Sequence, residues 1–178
     1  MTAKECIMGR RSVRKFTEQP ISHDVMADLI QTASYAPSWK NTQITRYFVV
    51  EGETKEKLAA CTSSYAKNGD IMRNAAAVVA IVFKKGRCGF ERDGSFSTNR
   101  GEGWQMFDAG IATQTFCLAA HEQGLGTVIQ GIFDQEEASK LLEIPEDMDL
   151  MALISIGYPA ETPNAPARKA VEELLTYK

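Results

Sequence analysis

The stretch WQMFDAGIATQTFCLAAHEQGLGTVIQGIF, residues 104–133, decides how this chain is to be read. Residues 104–123 form a long uninterrupted helical segment with apolar side chains, Phe107, Ile111, Phe116 and Leu118 among them, around much of its circumference. A helix without a wholly polar face is expected to be covered on more than one side, by its own core and by a second subunit. Gly124-Leu125-Gly126 is a glycine stop signal, and TVIQGIF (127–133) then reads as a strand.

Outward from this centre, helices and strands alternate. Thr2 and Glu5 have capping-box spacing, so a short helix is expected to open the chain and end near Gly9. From Ser22 a second helix carries the stripe Val25, Met26, Leu29, Ile30 and Ala33, and Pro37 stops it. RYFVVE (46–51) reads as a strand, ETKEKLAACTSSYA (53–66) as a helix and AAVVAIVF (76–83) as a buried β-branched strand. Residues 84–103, KKGRCGFERDGSFSTNRGEG, have no period and are expected to form a mobile loop over a functional site. Beyond the centre come a helix capped by Asp134 with Glu137 three residues on, a strand at 149–159 and a terminal helix at 169–175. With no repeat and no interior linker, residues 1–178 read as one three-layer α/β or α+β domain with about four strands.

Composition narrows the function. The 178 residues are 44% hydrophobic and 24% charged, ordinary for a globular domain. No apolar run reaches the ~20 residues of a membrane span, and MTAKECIMGRRSVRKF lacks the apolar core of a signal peptide, so a soluble cytoplasmic protein is expected. Cys6, Cys61, Cys88 and Cys117 are scattered, which suits reduced thiols, and two histidines make a metal site improbable. The net charge is −3, yet residues 4–15 set Lys4, Arg10, Arg11, Arg14 and Lys15 against the single acid Glu5. One basic cluster on an acidic chain suits a small phosphorylated ligand better than nucleic acid, which needs many phosphate contacts.

Several familiar sites are absent. The chain has no P-loop and no G-x-S-x-G elbow. Gly124-Leu125-Gly126 and Gly101-Glu102-Gly103 begin like dinucleotide fingerprints but fail at Ile129 and Met106. His23 and His121 fall in predicted helices with no nucleophile motif beside them, and structural roles are expected for both.

Three segments carry chemistry. In Arg10-Arg11-Ser12-Val13-Arg14-Lys15-Phe16, two guanidiniums and a hydroxyl can ring a phosphate; a solvated basic stretch is the alternative, and Ser12 with the packing anchors Val13 and Phe16 speaks against it. In Ala36-Pro37-Ser38-Trp39-Lys40-Asn41-Thr42-Gln43, the amides of Asn41 and Gln43 can read an imide edge, although alone this is also an ordinary turn. In the strand 127–133, Gly131 after Gln130 marks either a close approach to a ligand or a bulge.

Taken together, R-R-S-x-R, P-S-x-x-N-x-Q, a long helix ending in G-L-G, and I-G-Y-P before a basic C-terminal segment resemble the nitroreductase family of FMN-dependent NAD(P)H oxidoreductases, over essentially the whole chain. The resemblance implies an α+β fold with a central, mostly antiparallel sheet of four or five strands flanked by helices, in an intertwined homodimer. It implies that Arg10, Arg11, Ser12 and Arg14 hold the FMN phosphate and neighbouring oxygens, with Arg168 and Lys169 returning from the C-terminus. Pro37, Ser38, Asn41 and Gln43 would line the flavin from the neighbouring subunit. Asn68 would contact the ring, and Gln130-Gly131 would set a backbone N–H near N5. Departures are Ile44-Thr45 where the family often has Pro-Trp, Gln130 where Glu or Gly is common, and a short 84–103 region. The implied reaction passes hydride from NAD(P)H through flavin N5 to a small acceptor such as a nitroaromatic, quinone or flavin, in ping-pong order and without a catalytic side chain. Alternatives are a narrower reductase of the same fold (dehalogenase or enone reductase) and a non-catalytic FMN-storage protein.

Overall fold

The computed structural model describes residues 1–178, and its elements follow local sequence signals closely. Helix α1 (Ala3–Gly9) carries the expected capping box between Thr2 and Glu5. Helix α2 (His23–Ala33) starts where the Ser22 hydroxyl accepts the Val25 N–H, and it buries Met26, Leu29 and Ala33. It ends before Pro37 is reached. The long central helix, expected over 104–123, is α5 (Gly103–Glu122), terminated by Gly124 in the left-handed region at φ 77°. The strands are β1 (Thr45–Val50), β2 (Ala77–Lys84), β3 (Gly126–Gln130) and β4 (Met148–Gly157).

The four strands form one sheet in the order β1-β2-β4-β3, every neighbouring pair antiparallel. The β2 side chains alternate between two cores. Ala77, Val79, Ile81 and Phe83 pack with α2 and α5 on one face. Val78, Ala80 and Val82 pack on the other with α3 (Gly52–Ala60), α4 (Ala66–Asn74) and α6 (Gln135–Leu141). Helices thus cover both faces of an antiparallel sheet, an α+β architecture. None of the helices is long and apolar enough to cross a membrane, and all four cysteines are buried free thiols.

Three expected elements differ. The helix read over 53–66 breaks at Cys61 into α3, a single 3₁₀ turn (Ser63–Tyr65) and α4. Thr62 folds its hydroxyl back onto the Ala59 carbonyl at 2.7 Å there, competing with the helical ladder. The strand read over 127–133 ends at Gln130, where the pairing with β4 stops at Leu153. The terminal helix of 169–175 is only α7 (Val171–Leu174), because nothing in the chain covers its apolar side chains: residues 164–178 are exposed throughout. The 84–103 segment is irregular as expected but is tied to itself, with Glu91 N–H on Ser95 O, Ser97 N–H on Gly89 O, and Phe90 against Phe96.

The N-terminal basic segment is laid along β3. Ser12 bridges Thr127 in parallel sense, and the Val13 N–H donates to the Thr127 carbonyl at 3.0 Å. Two glycines allow this approach. A Cβ on Gly126 would stand 2.7 Å from Val13 Cβ, and one on Gly157 would stand 2.9 Å from the Phe16 ring. Gly126→Ala should therefore force Val13 off the strand and cost about 1–3 kcal/mol, lowering Tm in a thermal melt by several degrees. A variant as stable as the parent would mean that the segment yields without cost.

Candidate functional site

The chain leaves α1 at Gly9, where a Cβ would come 3.0 Å from His121 Nε2 at the far end of α5. From there Arg10, Arg11, Ser12 and Arg14 face the returning C-terminal segment. With Pro163, Asn164, Pro166 and Arg168 they line a cavity of about 300 Å³ that contains no hydrophobic residue. The four guanidiniums make no ion pair with any carboxylate. The guanidiniums of Arg11 and Arg14 donate only to backbone carbonyls (Met8 at 2.7 Å and Arg10 at 2.9 Å, Ser12 at 3.1 Å), the Arg14 backbone N–H donates to Glu161 Oε1 at 2.9 Å, and Arg10 Nε is buried without a partner. Burial and then the charges of Arg10 and Arg11 lower the His121 pKa from the usual histidine value. Lys169 lies next in sequence to Arg168 but does not line the cavity. Such a ring of unpaired cations is suited to a phosphate group.

At the other end of β3 lies a buried polar chain. The Gln130 side chain, 3% exposed, donates to the Asn68 carbonyl at 3.0 Å and accepts the Ser155 hydroxyl at 2.7 Å. Asn68 in turn donates its side-chain amide to the Ile132 carbonyl at 3.0 Å. The Gln130 amide is therefore committed to the protein, and what this corner offers a ligand is backbone around the exposed Gly131 and Ile132.

The third segment, Pro37–Gln43, is a tight turn before β1. Ser38 Oγ accepts the Gln43 N–H at 3.0 Å, and the Trp39 N–H donates to Asp108 Oδ2 on α5 at 2.9 Å. Lys40, Asn41 and Gln43 all have positive φ (45°, 55° and 47°), a conformation that asparagine tolerates and the other two adopt at a cost. The Asn41 and Gln43 amides are exposed and bonded to each other at 3.2 Å. Trp39 Nε1 and Thr42 Oγ1 are buried without partners.

The structure joins some expected residues and separates others. Arg10, Arg11, Ser12, Arg14 and Arg168 share one cavity, and Asn68 touches Gln130. The basic segment and Asn68–Gln130 lie at the two ends of β3, separated by about 10 Å at ~3.3 Å per residue. Pro37, Ser38 and Gln43 line a different pocket, behind which stand α2, β1 and α5. Helix α5 measures the gap: the turn docks at Asp108 and Gly9 at His121, about 20 Å apart at ~1.5 Å per residue. Sequence reasoning missed Asp108 and Ser155. Asp108 had a visible signal, as the one charged side chain between Gly103 and Ala120; Ser155, inside an apolar strand, had a weaker one.

The nitroreductase family model matches residues 7–64 and 61–158. A protein of Archaeoglobus fulgidus, provisionally named NADH dehydrogenase/NAD(P)H nitroreductase, is 30% identical, covering 89% of this chain and 87% of its own. An FMN reductase [NAD(P)H] of Bacillus subtilis is 29% identical over 96% of this chain and 72% of its own. Among solved structures, one from Desulfovibrio desulfuricans in complex with FMN is 27% identical with a TM-score of 0.79, covering 98% and 95% of the two chains.

The buried polar chain gives a direct test of the geometry. Ser155→Ala strips Gln130 Oε1 of its partner, an expected loss of about 1–3 kcal/mol, read as a lower midpoint in denaturant unfolding. No change in midpoint would show that the Gln130 amide finds another partner.

Proposed function

We propose, because this chain belongs to the nitroreductase family, that it binds FMN and passes hydride from NAD(P)H to a small acceptor such as a nitroaromatic, a quinone or a flavin. One observation carries the cofactor assignment. The buried side-chain nitrogen and oxygen atoms without any partner are Arg10 Nε, Trp39 Nε1 and Thr42 Oγ1. All three fall within the two motifs assigned to FMN. Buried polar atoms are nearly always satisfied in a finished site, so their grouping supports a polar ligand touching both motifs. The FMN found in the Desulfovibrio relative supports the same choice.

In this reading Arg10, Arg11, Ser12 and Arg14, joined by Arg168 and flanked by Lys169, hold the phosphate with charge-assisted hydrogen bonds. Asn68 and the Gln130-Gly131 backbone lie along the ring, kept in place by the Ser155–Gln130–Asn68 chain. Pro37, Ser38, Asn41 and Gln43 close over the ring from a second subunit. The separation along α5 supports that division, since one chain keeps its two motifs about 20 Å apart. The apolar surface supports a homodimer too. Met106 and Phe107 on α5 are 49% and 59% exposed, and Val171, Leu174, Leu175 and Tyr177 in the tail are uncovered.

FMN, when bound, supplies the hydride-accepting and hydride-donating chemistry. The chain's own contribution is to fix the ligand through its arginines, present N–H groups where negative charge develops, and shield the site. Residues 84–103 serve as the cover within a single FMN-binding domain spanning 1–178. No acidic or basic side chain is required for the transfer.

Replacing Arg10 and Arg14 with Ala should each remove roughly 1.5–3 kcal/mol of binding, weakening FMN at least about tenfold per site in a fluorescence titration. Unchanged affinity in the double variant would overturn the phosphate assignment. Anaerobic NAD(P)H should bleach the bound-flavin absorption, and initial-rate plots should be parallel; intersecting lines would exclude a shared site for donor and acceptor. Light scattering at micromolar concentration should give a dimer, and a monomer would refute the shared cofactor site.

A further inference from the structure

The two tryptophans of the chain meet between the turn and the long helix. Trp39 and Trp104 stack with ring centroids 4.8 Å apart and planes tilted by 47°. Below them is Asp108, 4% exposed, with no lysine, arginine or histidine paired to it. Its Oδ2 accepts the Trp39 N–H at 2.9 Å. Its carboxyl group also lies against Cys88 of the 84–103 segment, a fully enclosed thiol that donates to the Trp104 carbonyl at 3.2 Å. Burial and this neighbouring carboxyl group push the Cys88 thiol up to about 12. Trp104 is itself fastened to the same segment, its Nε1–H donating to Thr98 Oγ1 at 2.7 Å.

A carboxyl group in the middle of an apolar helix is a costly occupant, and an apolar side chain would fill the volume more cheaply if packing were its only duty. What Asp108 does that an apolar residue cannot is accept the backbone N–H at the mouth of the turn. The next residues, Lys40, Asn41 and Gln43, are in the left-handed region and need surrounding structure to keep them there. Inside the turn only the Ser38–Gln43 bond ties side chain to backbone.

We propose that Asp108 is a positioning residue that, by holding the Trp39 N–H, keeps the Pro37–Gln43 turn docked on α5 in the shape that meets FMN across the dimer. This inference rests on the FMN reading of the turn. It assigns Asp108 no contact with the cofactor, so its effect on binding is indirect and tied to the tryptophan pair.

The pair supplies a readout separate from activity. Two tilted indoles this close should give an exciton couplet in circular dichroism on the strong far-ultraviolet indole band, present only while the turn is docked. Asp108→Ala should lose the couplet and bind FMN at least tenfold more weakly, with its thermal unfolding still cooperative. Asp108→Asn keeps a carbonyl oxygen for the Trp39 N–H and should retain the couplet, with FMN affinity within about threefold of the parent. Arg10→Ala should weaken FMN with the couplet intact. A couplet and FMN affinity unchanged in Asp108→Ala, or lost in Asp108→Asn, would overturn the proposal. If the parent protein binds no FMN, the flavin reading fails while the couplet still decides the docking role. Should Asp108→Ala not fold, amide exchange on the unaltered holoprotein decides: a Trp39 N–H protected like the α5 core supports the bond, and exchange at the rate of an exposed loop overturns it.

Discussion

Burial of α5 against one face of the sheet is the contact on which the other elements depend. Ala109, Phe116, Cys117 and Ala120 of the helix pack with Ala77, Val79, Ile81 and Phe83 of β2, and α2 completes the layer. Hydrophobic burial is non-directional, so this packing fixes where α5 lies without dictating what its flanks carry. The flanks receive the two candidate motifs. One end receives the Pro37–Gln43 turn at Asp108 and the other receives the α1 exit at His121. A rigid rod between them holds the two motifs apart in one chain, and the same rod leaves the apolar side chains of Met106 and Phe107 exposed.

The two candidate site segments are built on opposite terms. The basic segment is relaxed backbone in a bridge to β3, with its strength in side-chain charge. The turn is the reverse: its Asn41 and Gln43 amides are bonded to each other, and its shape resides in three residues held at positive φ. Strain of that kind persists only where neighbours over-determine it. Here they are a serine hydroxyl inside the turn and a carboxyl group on the helix beneath.

Legibility in the sequence followed the range of the forces concerned. Capping at Thr2 and Asp134, the helix start at Ser22, the stop at Gly124 and the buried β-branched run of β2 are local, and each appears in the structure as read. The break at Cys61 was hidden because a single hydroxyl, Thr62, tips a weakly amphipathic helix out of register. The basic segment at residues 10–14 was legible because charge without countercharge stands out in a sequence, whereas Arg168 was joined to it only through the family resemblance. The role of Gln130 was not, because its partners Asn68 and Ser155 come from distant elements and only folding joins them. The same holds for Asp108, whose oddness in an apolar helix was visible but whose partner was not.

The close seating of Val13 over Gly126 and Phe16 over Gly157 bears on the entropy of recognition. A loop that wraps a phosphate must first surrender backbone freedom, at about 1–2 kcal/mol per residue. Here that loss is met at folding, because the backbone from Ser12 to Phe16 is already bonded and packed onto the strand ends. Only the rotamers of the arginine side chains remain to be ordered when an anion arrives. On the proposed phosphate assignment, the glycines at 126 and 157, which face Val13 and Phe16, set how much of the attraction between guanidinium and phosphate survives as affinity.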